Sequence, residues 1–168
     1  MNKIIKLSEV SDLMLEVLNS GGEVSFITAG ISMMPLLRDR CDKVFLSKPK
    51  QKPKKNDVVF YQRENGQYVL HRIISVKNGE YVLRGDNQSV CEYGITDKHI
   101  IAVAVAFERN GKHIKCSDLK YKLYCFFLPV IRFFRSVHTS VIRALRKLNQ
   151  KRKRFFNKKR CDLNNGKD

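Results

Sequence analysis

Between residues 23 and 109 the chain breaks into short runs rich in Val, Ile, Phe and Tyr: EVSFITA, DKVFLSK, DVVFYQR, QYVLHRIISV, EYVLRG and IIAVAVAFER. β-Branched and aromatic side chains suit a pleated, half-buried surface, so these runs read as strands. Asn65-Gly66, Asn78-Gly79 and Asn110-Gly111 fall between them, and Asn-Gly fits the two positive-φ positions of a type I′ hairpin. The pattern predicts a β-meander. Between the second and third runs, Lys48 to Asn56 reads KPKQKPKKN. Its two prolines lack the N–H a central strand must donate, so an exposed basic loop is expected there.

The flanks have a different period. Val10, Leu13, Met14, Val17 and Leu18 follow the spacing that gathers side chains on one side of a helix. Ser8 is the expected N-cap and Gly21 the stop, giving a short helix within residues 1–21 that packs over the body. Helical spacing returns at Leu123, Phe126, Phe127, Val130, Phe133, Phe134, Val137, Val141, Leu145 and Leu148, with Pro129 expected to kink or split that helix. The predicted fold class is mainly β: a core over 22–118, a short N-terminal helix, and a basic amphipathic helical tail over 119–160. The last residues, 161–168, read as a disordered terminus.

Charge follows the same division. The chain has 33 Lys+Arg against 16 Asp+Glu, and residues 119–168 hold 15 of the bases and 2 of the acids, net +13. The remaining 118 residues carry 18 and 14, net +4. The basicity therefore describes a tail and its partners rather than the fold. Five scattered cysteines without a C-x-x-C pair suggest neither a disulfide framework nor a zinc site. Ser8, Glu9, Ser11, Asp12 and Glu16 interrupt any apolar stretch near the N-terminus, which excludes a secretory signal there. The longest uncharged apolar run in the tail, Leu123 to Ile131, falls well short of the ~20 residues of a spanning helix. A cytoplasmic protein is expected, at most peripheral on the inner face of the membrane.

One stretch carries chemistry. GISMMPLL, Gly30 to Leu37, presents Ser32 after a glycine turn; downstream come His71 in YVLHRII and Asp86 in RGDN. A serine hydroxyl is a weak nucleophile until a base takes its proton, and histidine, with a reference pKa of ~6.5, does this near neutral pH. A carboxylate that fixes the imidazole tautomer completes a triad. A turn serine is the commoner meaning of such a residue taken alone.

The ordered series G-I-S-M-M-P-L-L, K-K-N-D-V-V-F-Y, Y-V-L-H-R-I-I and L-R-G-D-N-Q resembles the boxes of the signal peptidase superfamily, to which LexA-type self-cleaving repressors also belong. The resemblance covers roughly residues 22–108. It implies a signal-peptidase/LexA-like β core with Ser32 as nucleophile, His71 as general base and Asp86 as orienting acid. Gly30, Met33 and Pro35 would shape the loop that presents Ser32. His71 stands where one branch carries lysine and where the endoplasmic-reticulum, archaeal and sporulation-type enzymes carry histidine. A lysine base needs burial to be neutral at pH 7; histidine does not, so a shallow, wet site is expected, with activity rising through about pH 6 to 7. The histidine branch usually has a second aspartate six residues after the first; Glu92 occupies that position here, a carboxylate on a longer arm that the resemblance implies as a catalytic acid together with Asp86. Gly30 replaces a serine that helps hold the oxyanion in many signal peptidases, which leaves that role to backbone N–H groups near Ser32.

The resulting expectation is a serine endopeptidase acting on a peptide or precursor protein, with no metal or organic cofactor. Arg143, Arg146, Lys147, Lys151, Arg152, Lys153 and Arg154 give the tail a surface for an anionic membrane. Covering the core or a second copy is the other reading of its aromatic side. Nucleic acid is not favoured, because no reading element accompanies the basic runs. The contrasting expectation is a catalytically inactive membrane- or polyanion-binding adaptor that works through the basic helix. A self-cleaving repressor finds no support, since the ~30 residues before Ser32 do not hold a DNA-binding domain.

Overall fold

The computed structural model describes residues 7–134 and 149–150. Helix α1 (Leu7–Asn19) precedes eight strands: β1 (Glu23–Ile27), β2 (Lys43–Ser47), β3 (Val58–Gln62), β4 (Tyr68–Lys77), β5 (Glu80–Arg84), β6 (Glu92–Ile95), β7 (Ile100–Arg109) and β8 (Lys112–Lys115). A second helix, α2, runs over 119–134. The expected mainly β class is observed. Residues 1–126 and 127–168 form two compact units, so the first two turns of α2 belong to the body. Among the described residues no helix is long and apolar enough to cross a membrane. The tail bases named above, Arg143 to Arg154, lie outside the described residues.

The strands pair antiparallel in the order β1-β2-β7-β3-β4-β5-β6, with β8 beside β7. The meander holds only from β3 to β6. β2 and β3 flank the proline-rich Lys48–Asn56 loop instead of forming a hairpin, and β7 enters between them. One edge of β7 pairs with β2 over Val103–Glu108; the other takes β3 at Ile100–Val103 and then β8 at Ala106–Arg109. β7 has ten residues, enough for two short partners in series along one edge. The strands EYGI and KHIK were not legible as runs because each is only four residues long and carries polar residues or glycine.

Two of the Asn-Gly turns have the expected backbone: Asn78, Gly79, Asn110 and Gly111 all take positive φ. At Asn65-Gly66 only the glycine does, and the Gly66 N–H donates to the Arg63 carbonyl, so that turn is built differently. At the end of α1 the Gly22 N–H donates to the Val17 carbonyl and the Gly21 N–H to the Leu18 carbonyl. With Gly21 at φ 84° this is a Schellman stop. Ser8 lies inside α1 rather than capping it.

Both faces of β3 are buried, and they serve two cores. Val58 and Phe60 join Met14, Leu18, Val44, Leu46 and Phe107 under α1. Val59 and Tyr61 join Ile73, Tyr81, Leu83 and Ile95 on the other side. Tyr121 and Cys125 of α2 complete the first core. Leu13, expected on the packed face of α1, is exposed. The lysines of the 48–56 loop are exposed as expected, although Pro53 is buried.

Candidate active site

Ser32 sits on the loop joining β1 to β2, and that loop is tied at several points. Met33 and Leu37 insert into the first core. The Gly30 N–H donates to Asp39 Oδ1 at 2.6 Å, with Gly30 at φ 101°, a backbone region that favours glycine. The Met34–Pro35 peptide is cis, and the Pro35 carbonyl accepts from Arg109 Nη1 at 2.6 Å. Gly30, Met33 and Pro35 thus shape the loop through backbone conformation, core insertion and a cationic tether.

The RGDN segment fixes the same loop from the other side. The Asn87 N–H donates to the Ser32 carbonyl at 2.7 Å, and Asn87 Nδ2 donates to the Ile31 carbonyl at 3.0 Å. Gly85 is needed for this approach, since a Cβ there would stand 2.7 Å from the Ser32 carbonyl oxygen. These two residues were not singled out from the sequence, though the Gly-Asp-Asn motif contains them.

His71 is on β4 and only 2% exposed. Its Nδ1 lies 3.0 Å from Glu92 Oε1 and 3.2 Å from the Tyr61 hydroxyl. Glu92 begins β6 and is gripped by Arg63, whose Nε donates to Oε2 at 2.8 Å while Nη2 donates to Oε1. The carboxylate held on the imidazole is therefore Glu92. Burial acts to raise the Glu92 pKa, but hydrogen bonds from Arg63 and Tyr61 and the charges of His71 and Arg63 outweigh it and hold it below the ordinary value. Burial, and to a smaller degree Glu92, raise the Tyr61 pKa, so the phenol stays neutral and remains a donor. With Nδ1–H directed at Glu92, the Tyr61 proton also goes to that carboxylate.

Burial lowers the His71 pKa below its ordinary 6.5; Glu92 opposes this and the Arg63 charge adds to it. The shallow, wet surroundings expected for the base are not found, because β4 passes between the two cores and its His71–Ile73 segment is enclosed.

Asp86 occupies a different environment. It is buried, and Arg72 Nε and Nη2 donate to its two oxygens at 2.8 and 2.7 Å. The Tyr124 hydroxyl adds a bond to Oδ2 at 3.0 Å. Arg72 directly follows His71, and successive strand residues point to opposite faces. Its Nη1 reaches the Asn56 carbonyl, the Tyr121 hydroxyl and Cys125 Sγ. Burial acts to lower the Arg72 pKa, yet the bonds and charge of Asp86 hold it well above the ordinary value. The geometry thus separates the two carboxylates: Glu92 meets the imidazole, whereas Asp86 neutralises a buried guanidinium beneath α2.

Ser32 and His71 line one cleft of about 260 Å³, together with Gly30, Met33, Arg63 and Gln88. Residues Tyr68–Leu70 form another wall. These three residues pair with β3 on one edge, whereas the pairing of β4 with β5 begins only at Arg72. Among the described residues no group of three or more His, Cys, Asp or Glu side chains is gathered to hold a metal ion. Arg63 and Tyr61 left no signal in the sequence, because their roles depend on the pairing of β3, β4, β5 and β6 in series. Compared with models of known protein families and with curated proteins, the chain matches none.

Proposed function

We propose that the chain is a serine endopeptidase of the signal peptidase superfamily type, with Ser32 as nucleophile, His71 as general base and Glu92 as the orienting carboxylate. The observation that carries this reading is the meeting of Ser32 and His71 in one cleft while His71 Nδ1 is held by Glu92. With Nδ1 engaged, Nε2 is the nitrogen that exchanges protons with the cleft. It takes the Ser32 proton as Oγ attacks the peptide carbonyl, and returns it to the departing amine. Water then repeats the sequence on the acyl-enzyme. Arg63 keeps Glu92 ionised, and Glu92 steadies the imidazolium that forms at each transfer. No metal or organic cofactor enters these steps.

The developing oxyanion calls for donors in the nucleophile turn. Asp39 takes the Gly30 N–H, and the Met34 and Leu37 N–H groups serve the turn itself. The backbone N–H groups of Ser32 and Met33, next to the attacking oxygen, are the candidates. Asp86 serves the structure, since its pair with Arg72 supports the segment from which Asn87 reaches the Ser32 loop. The unpaired edge at Tyr68–Leu70 suits an extended peptide added as a strand.

Cleavage of a complex peptide library by the purified protein, read by mass spectrometry, tests the reading. Wild type is expected to produce cuts that Ser32→Ala and His71→Ala reduce by about 10³-fold or more. The same peptides at the same abundance in all three samples would refute it and favour the inactive adaptor.

A further inference from the structure

We propose that α2 docks lengthwise on an anionic lipid surface. This rests on the exposed apolar stripe of the helix and is independent of the peptidase reading. At about 100° per residue, Leu123, Phe126, Phe127, Val130, Phe133 and Phe134 fall within an arc of about 120°. All six are exposed, the phenylalanines by 51–74%. Tyr121, Tyr124 and Cys125, which engage Arg72 and Asp86 in the body, project about half a turn away. The helix therefore engages the body through one side and exposes a broad apolar stripe on another.

Charge identifies the kind of surface that the exposed stripe suits. Lys120 and Lys122 are exposed and border the stripe on its two sides, where lysines can bury their stems against an apolar layer and keep their ammonium groups in water. The segment 119–168 carries 15 bases against 2 acids. A second copy would bring the same positive segment against this one, whereas an anionic bilayer provides apolar depth for the stripe and negative headgroups for its borders. A helix with a broad apolar stripe and cationic margins lies in the plane of the interface. Among the described residues none is long and apolar enough to span it.

The test is flotation of the full chain with phosphatidylcholine vesicles, with and without phosphatidylserine. Wild type is expected to float with the anionic vesicles, to float far less with neutral ones, and to be released by salt. The triple variant Phe126→Ser, Phe133→Ser, Phe134→Ser should lose about tenfold or more in partitioning, with an unchanged circular dichroism melt because all three sites are exposed. Ser32→Ala should float as wild type does. Wild type remaining unbound, or the triple variant floating equally well, would overturn the proposal. So would a lipid-free dimer that the triple variant converts to monomer, since a second copy would then cover the stripe.

Discussion

Asp86→Asn and Glu92→Gln remove similar charges from residues six apart, yet the structure assigns them opposite consequences. Arg72 is 1% exposed and has two charge-assisted bonds to Asp86. Neutralising Asp86 leaves that guanidinium buried without its counter-ion, and removing one partner of such a pair costs about 3–5 kcal/mol. The Asn56 carbonyl and Tyr121 hydroxyl still accept from Arg72, which places the cost near the lower end, about 3 kcal/mol. For a chain of this size that lowers Tm by roughly 6–12 °C. The Arg63–Glu92 pair is partly exposed, with side chains 32% and 21% accessible. Glu92→Gln should therefore cost about 1 kcal/mol or less and shift Tm by only a few degrees. Its activity should nonetheless fall by about 10²–10⁴-fold, because an amide can hold the imidazole in the wrong tautomer and does not stabilise the imidazolium. Thermal unfolding followed by circular dichroism, alongside cleavage of the best peptide substrate well below both melting points, reads both quantities. The reasoning is refuted if Asp86→Asn melts within a degree or two of wild type, or if Glu92→Gln is the less stable variant and keeps its activity.

Other expectations concern proton transfer and the nucleophile loop. Because burial lowers the His71 pKa and the base works in its neutral form, the acid limb of kcat/KM should lie below pH ~6.5. Arg63→Gln removes a cation that disfavours the imidazolium and should move that limb to higher pH; Glu92→Gln should move it lower. A limb that stays in place in both variants would show that His71 is not the group being titrated. Gly85→Ala places a methyl 2.7 Å from the Ser32 carbonyl, so the loop must shift. A displacement approaching 1 Å costs about 10²-fold in rate, and near-normal rates in a peptide assay would contradict this. Asn87→Ala deletes the bond to the Ile31 carbonyl while keeping the backbone bond to Ser32. A stability loss of about 1 kcal/mol is expected, with activity reduced more than stability; a denaturant titration beside the same peptide assay checks both.

The elements that could be read from sequence were those with a strong local signal. The six long apolar runs correspond to β1–β5 and β7, and Gly21 ends α1 as its type implied. Pairing was less legible. Nothing local in IIAVAVAFER states that it lies between β2 and β3, because that placement is decided by long-range packing and by the proline-rich loop that denies β2 and β3 a hairpin. The same limit explains the site. Ser32 and His71, which line one cleft, were candidates by residue type and neighbourhood, whereas the difference between Asp86 and Glu92 depends on which face of the sheet each carboxylate reaches. Arg72 decided that difference. A charged residue in a strand usually reads as solvent-facing, and its burial here becomes evident only once α2 is laid over it.

The position of β7 has a consequence for how the molecule comes into being. Ser32 lies between β1 and β2, and His71 lies on β4, yet β2 and β3 never pair with each other; both pair with β7. The strand that joins the Ser32 half of the sheet to the His71 half carries neither residue. During synthesis β3–β5 can zip through local hairpins as they emerge, β1 can lie on β2, and Asn87 can reach the Ser32 loop, but the sheet has no strand common to both halves until residues 100–108 are made. Closing so long an excursion is the slow part of folding such a topology. The sheet is thus closed late, around a cleft whose lining residues, 28–88, have all been made before the strand that joins its two sides.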